Sequence, residues 1–304
     1  MNMKFNFNEF SSPEKSRVEK LREELKGRGW TLSEVEEILN CRESDFVSIA
    51  ELEKKYRELN KLSFKNSSAF TTEKIDYSKE LEAKILALLE KNNLLDSQQI
   101  KHAMNLAIEI HADQKPRPDG PYINHILRVA HRLIHEYGIY DPEIITSAFL
   151  HDAVEDQGEK LAKKINNSSS KNERDNAFKF INENFGSRVE KIVRKLSNPQ
   201  TKKEGLSQDE KNKVYKNHVA ESILDSDVLP IKLSDFSDNS LKLDALPDTQ
   251  RRLKLSKKYL PVMSVFIKRL NSAQDVLTQE KINEIKEKLQ KAISETEVFI
   301  KKNS

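Results

Sequence analysis

Residues 141–157 read DPEIITSAFLHDAVEDQ. Asp141 followed by Pro142 marks a helix start, an N-cap acceptor ahead of a residue whose fixed φ suits the first turn. Ile144, Ile145, Ala148 and Phe149 then fall at i, i+1, i+4 and i+5, two adjacent columns on one apolar face. Carried on, the same columns reach His151 and Asp152, then Glu155 and Asp156. The spacing predicts one helix over 141–156, with a face that begins as core and ends as an imidazole and three carboxylates. Holding several carboxylates together in a partly buried place is costly unless a cation or hydrogen bonds compensate, and a divalent metal meets that need. The same acids also fit a helix end that emerges into water, and this segment alone leaves both open.

The pattern on either side is of the same kind. Leu81, Ile85, Leu88 and Leu89 recur at helical spacing within 79–91, and helices are expected over 96–113, 122–137, 172–184, 187–196, 209–224, 230–246 and 248–270. No strand pattern competes. With 33% charged residues and only 7 Gly and 9 Pro, the composition favours helices with solvated outer faces, so the fold class expected is all-α. The stretch QKPRPDGPY, 114–122, reads as a loop, and NNSSSKNERDN, 166–176, as a polar surface insertion. Towards the N-terminus, helices are expected at 13–26, 31–39 and 48–62, followed by a polar stretch at 65–72 that could be a linker. Near the other end, Ile282, Ile285, Leu289, Ile293 and Ile300 form a stripe that packs on the body or on a second subunit. The organisation expected is an N-terminal helical extension over 1–78, a main domain over 79–272 and a C-terminal amphipathic helix over 273–304.

The 52 basic and 49 acidic side chains leave a net charge of +3, so no global excess of positive charge advertises a nucleic-acid surface. Cys41 is the sole cysteine, which excludes an internal disulfide and a cysteine-based zinc site. The opening MNMKFNFNEFSSPEKS lacks the apolar run of a signal peptide, and no window approaches the ~20 apolar residues that span a bilayer. A soluble, cytoplasmic protein is expected.

Two further segments offer metal-ligating side chains. His125 lies at the edge of a stripe of Tyr122, Ile126, Val129, Ala130, Leu133 and Ile134, where it can face the core as a second imidazole ligand. His131 and His135 share an i, i+4 spacing but project to the opposite side, and they read as surface residues. His102, His111 and His218 read as structural or exposed. In VLPIKLSDFSDNSLKL, 228–243, Asp235 and Asn239 stand one turn apart, and Asp235 could complete a metal site. A solvated acidic turn is the alternative there.

The motifs HADQKPRPDGPYINHILRVA, ITSAFLHDAVEDQ, FGSRVEKIVRKLSNP and LPIKLSDFSDN occur in that order. Together they resemble the hydrolase domain of the RelA/SpoT family, an HD-type helical bundle that removes the 3′-pyrophosphate of ppGpp, over about Asp96 to Leu270. The resemblance implies that His125, His151, Asp152 and Asp235 hold one divalent ion per chain, manganese in the family. It implies that Glu155 and Asp156 orient and deprotonate the attacking water. Lys115 and Arg117 would contact the nucleotide's base and phosphates, and Tyr122 and Asn239 would line its pocket.

The chain also departs from the pattern. Phe236-Ser237-Asp238 stands where the family usually has Arg-Leu-His, Ile126 where it has Pro and Gln157 where it has Thr, and an insertion is expected after Gly158. The family's synthetase and regulatory domains have no visible counterpart, so the small hydrolase-only members are the nearest kind. Two alternatives stay open: the same metal chemistry on an adenine alarmone or on NADPH, or a catalytically weak nucleotide sensor. A homo-oligomer through the terminal helices is a further expectation.

Overall fold

A computed structural model describes residues 78–303, apart from Pro118, 166–169, Lys171, 199–204, Lys242 and Pro247. The extension expected over 1–78, with its three helices, linker and Cys41, lies outside these residues except for Ser78. The described residues form helices and connecting turns, with one isolated bridge between Arg117 and Gly120. In chain order the helices are α1 (Ser78–Lys91), α2 (Gln98–His111), α3 (Ile123–His135), α4 (Pro142–Leu150), α5 (Ala153–Lys163) and α6 (Glu173–Phe185). Then come α7 (Ser187–Leu196), α8 (Gln208–Ser222), α9 (Leu229–Ser240), a 3₁₀ turn (Leu243–Ala245), α10 (Thr249–Leu270) and α11 (Gln279–Asn303). The all-α expectation holds.

Helix α4 is the hub. Asp141 caps it as expected, accepting from the amides of Glu143 and Ile144 at 2.9 and 3.2 Å. Every residue from Ile144 to Leu150 is buried, because α2, α3, α5, α7 and α9 all pack against it. A short helix apolar on all sides is stable only in such a place. Helix α9 is buried on nearly its whole circumference as well, packed on α3, α4 and α10. The surface acidic turn considered for Asp235 is thereby ruled out. Helix α6 ends at Gly186, whose φ of 88° is open to glycine at no steric cost, and α7 starts at the next residue.

Two expectations need correction. The single helix over 141–156 is broken at His151–Asp152, where Asp152 takes φ −99° and ψ −3°. The His151 ring bonds the carbonyl of Ala148, the acceptor that a further turn would use, and α5 starts at Ala153. The helix over 230–246 stops at Ser240. Gly158 lies within α5, next to Gln157, whose φ of −127° and ψ of 21° kink the helix. At the far end of the polar stretch Asn176 is buried on α6 and bonds both the amide and the carbonyl of Ser170.

At the C-terminal end α11 packs on α10 and buries Ile282, Ile285 and Leu289, so that part of the stripe serves the body of the same chain. On α9, Phe236 is 1% exposed and meets Tyr259 and Phe266 of α10 at ring separations of 5.6 and 4.9 Å. Phe236→Ala should lower unfolding free energy by about 3–5 kcal/mol, the cost of an aromatic-sized cavity, measured as an earlier urea midpoint. A shift below about 1 kcal/mol would mean that α9 and α10 are not packed as described.

Candidate metal centre

Three places in the fold bring the expected ligands together. The first turn of α3 supplies His125, the α4–α5 break supplies His151 and Asp152, and the middle of α9 supplies Asp235. His125, His151 and Asp235 are buried, and one ligand atom from each lies within 4.8 Å of the others. His125 Nε2 is 3.3 Å from Asp235 Oδ1 and 3.6 Å from Asp152 Oδ2. His151 Nε2 is 3.2 Å from Asp152 Oδ2 and 3.8 Å from Asp235 Oδ1. Two imidazole nitrogens thus face two carboxylates.

Both rings are held by their other nitrogen. His151 Nδ1 lies 2.8 Å from the Ala148 carbonyl, which can only accept, so Nδ1 carries a proton there. His125 Nδ1 lies 2.8 Å from Asp238 Oδ2. This leaves each Nε2 turned to the carboxylates, the arrangement that partner groups impose on metal-ligating histidines. His151 Nε2 is buried and makes no hydrogen bond despite its acidic neighbours. A buried donor set of two nitrogens and carboxylate oxygens, one nitrogen lacking a hydrogen-bond partner, fits a divalent ion of borderline hardness.

The remaining expected residues divide into three groups. Tyr122 and Asn239 touch the ligands themselves: the Tyr122 hydroxyl donates to Asp152 Oδ2 at 2.7 Å, and Asn239 Nδ2 donates to Asp235 Oδ1 at 2.5 Å. Arg117 donates to Asn239 Oδ1 at 2.7 Å, with its guanidinium 5.9 Å from the centre of the Tyr122 ring, while Lys115 is exposed on the same loop. The acidic pair is split, because consecutive residues on a helix project about 100° apart. Asp156 accepts from Gln114 at 2.8 Å on the site side. Glu155 accepts from the backbone and side-chain amides of Asn198 at 2.9–3.0 Å.

Several neighbours were given no role at the site from the sequence. Lys232 is buried, donates to the Leu196 carbonyl at 3.1 Å and lies 3.8 Å from Asp235 Oδ2. Gln114 joins His111, Gln157 and Asp156 in one chain of contacts, and His111 stacks on Tyr122. Helical spacing carried a signal for Asp238 and Arg128, which sit three residues after Asp235 and His125 respectively. His131 and His135 stack on each other away from this group, as expected of a pair outside the site.

The charge balance follows from burial. Desolvation alone would depress His125, but bonds to Asp152, Asp235 and Asp238 outweigh it and push its pKa from 6.5 to about 10. His151 is raised against burial by the charge of Asp152. Asp152 and Asp235 are lowered despite burial, chiefly by the two imidazoles and, for Asp235, by Lys232. Asp156 goes the other way: burial, then the charge of Asp152, raises it.

Without metal, the protonated His125 stabilises the fold fully below pH 6.5, and this contribution is lost as pH rises towards 10. An ion at Nε2 must displace that proton, so its affinity grows over the same interval. The thermal shift on adding Mn(II) should therefore increase from pH 6.5 to 9, read from melting curves with and without the ion. A shift independent of pH would exclude His125 as a ligand.

No family model matches the chain. A guanosine-3′,5′-bis(diphosphate) 3′-pyrophosphohydrolase of Aquifex aeolicus is 30% identical over 174 residues, 57% of this chain and 22% of that one. The MESH1 proteins of Xenopus tropicalis and Homo sapiens, which carry the same enzyme name, are 35% and 31% identical over 108 residues. That match takes in 35% of this chain, which spans 51% of either vertebrate relative. A solved structure of a metazoan ortholog of SpoT that hydrolyzes ppGpp aligns with a TM-score of 0.48 and 21% identity, covering 66% of this chain and 96% of that one. No described helix is long and apolar enough to cross a membrane. With two histidines and an aspartate gathered in one buried group, the chain is similar over part of its length to these pyrophosphohydrolases, and it spans about half or less of each of them.

Proposed function

We propose that this domain hydrolyses the 3′-pyrophosphate of ppGpp or a closely related alarmone in the cytoplasm, using one Mn(II) ion held by His125, His151, Asp152 and Asp235. The observation that carries this reading is the convergence of those four side chains beside Asp156. Such an ion neutralises charge developing on phosphoryl oxygens and acidifies water in its coordination sphere.

The chain's own groups supply the rest. Asp156, its carboxyl raised by burial and by Asp152, is suited to take a proton from the attacking water. Glu155, fixed by Asn198, orients that water's approach from the other side. Water oxygen bonds to the phosphorus next to the ribose 3′ oxygen, the bond from that phosphorus to the 3′ oxygen breaks, and the 3′ oxygen gains a proton as pyrophosphate leaves. Arg117 presents a planar guanidinium that can fork to phosphate or stack on a base, with Tyr122, Asn239 and Lys115 around it.

One observation favours a shifted substrate within the same chemistry. Phe236 is committed to the core and Asp238 to His125 and Arg128, so neither is offered to a nucleotide where the family usually has Arg and His. The test is purified protein with Mn(II) against a nucleotide panel. Pyrophosphate released from ppGpp supports the first reading, and phosphate released from NADPH selects the second. Nucleotide binding without any turnover would leave only the sensor.

A further inference from the structure

Asp238 stands where the resemblance calls for His, and its carboxylate is fully buried. Oδ2 faces His125 Nδ1 at 2.8 Å, and the Arg128 guanidinium grips the same carboxylate with Nε on Oδ1 and Nη2 on Oδ2, both at 2.8 Å. Arg132 Nη2 adds a longer contact of 3.6 Å to Oδ1. Arg128 Nη2 also reaches Asp119 Oδ2 at 2.8 Å. Asp119 belongs to the tight loop closed by two backbone bonds between Arg117 and Gly120. Arg117 then returns through Asn239 to Asp235.

The contacts close a ring. Starting at His125, it runs through Asp238, Arg128 and Asp119 to the Arg117 loop, and back through Asn239 to Asp235. We propose that Asp238 and Arg128 are a positioning pair, which sets His125 with Nε2 towards the ion and pins the Arg117 loop to the metal centre. The proposal rests on the metal site of the preceding section. A buried carboxylate on Nδ1 fixes the ring's orientation and makes Nε2 a stronger donor, while the two-pronged grip of arginine fixes the carboxylate in turn. Lysine cannot reproduce that grip, because it lacks the planar fork.

Direct Mn(II) titration, without nucleotide, tests the first half. Asp238→Asn should weaken Mn(II) binding by about 10–100-fold, the usual cost of losing a partner of a ligating histidine. Far-UV circular dichroism of the metal-free protein checks that the variant is folded. Arg128→Lys keeps the charge, protects against an unfolded Asp238 variant, and should lose affinity by a smaller factor. If folded Asp238→Asn or Arg128→Lys binds Mn(II) within about twofold of wild type, the pair does not position the ligand.

Asp119→Ala, at a half-exposed residue, tests the second half. It should raise KM for ppGpp several-fold while leaving Mn(II) affinity unchanged; an unaltered KM would refute the link to the loop. Failure of the wild type to bind Mn(II) would sink the metal site itself, and failure to hydrolyse ppGpp would sink the proposed substrate while leaving the titrations decisive.

Discussion

Asp235→Asn is expected to yield a folded protein that no longer retains a divalent ion and no longer turns over. Asp235 is buried in the middle of α9, where its Oδ1 lies 3.3 Å from His125 Nε2 and 3.8 Å from His151 Nε2. Asparagine keeps the volume but removes the negative charge, the part that an ion between these groups requires. Loss of a mere partner of a ligating histidine costs about 10–100-fold in metal affinity, so loss of a ligand's own charge should cost at least about 100-fold. Metal content after desalting, measured by mass spectrometry, should drop from one ion per chain to near none, and pyrophosphate release should fall with it. A variant that keeps its ion would place the centre elsewhere.

Asp156→Asn should have an effect of comparable size on turnover with the ion still bound. Proton transfer by a positioned group contributes about 10²–10⁴-fold, and Asp156 is the acid whose carboxyl is raised and turned to the site through Gln114. Glu155→Gln should cost less, about tenfold, because Asn198 already occupies both oxygens of Glu155 and leaves it an orienting part. Single-turnover rates at saturating Mn(II) give the comparison. If Glu155→Gln proves the more damaging, Glu155 must leave Asn198 and act as the base, and the roles reverse.

The break at His151–Asp152 separates the helix that carries the acidic pair from the helix that leads to His151. On a continuous helix, Glu155 and Asp156 would follow His151 and Asp152 along the same two columns. Instead the His151 ring takes the Ala148 carbonyl, the chain turns at Asp152, and Glu155 and Asp156 find different partners. Nothing in the local pattern of residues announces that turn, since Ala153 and Val154 suit a helix as well as any. Asp238 is a similar case. Read along the chain it is a departure beside the site, and only the approach of α3 shows that it has a partner in Arg128 and a task at His125.

Much of the fold follows from short-range periodicity. The apolar columns of Ile144–Phe149, the capping of α4 by Asp141 and the stripe from Ile282 to Leu289 are local patterns, and each was realised where helical spacing put it. The residue pattern offered His125, His151, Asp152 and Asp235 as candidates, because buried imidazole and carboxylate on otherwise apolar faces are costly without a partner, and only the resemblance grouped them as one set. What tertiary structure alone decided was distance and direction: that α3, the α4–α5 turn and α9 meet at one point, that the acidic pair divides, and that Asp238 joins His125 to Arg128. Those outcomes depend on how helices far apart in sequence pack against α4, and packing is set by the whole core rather than by any one segment's residues.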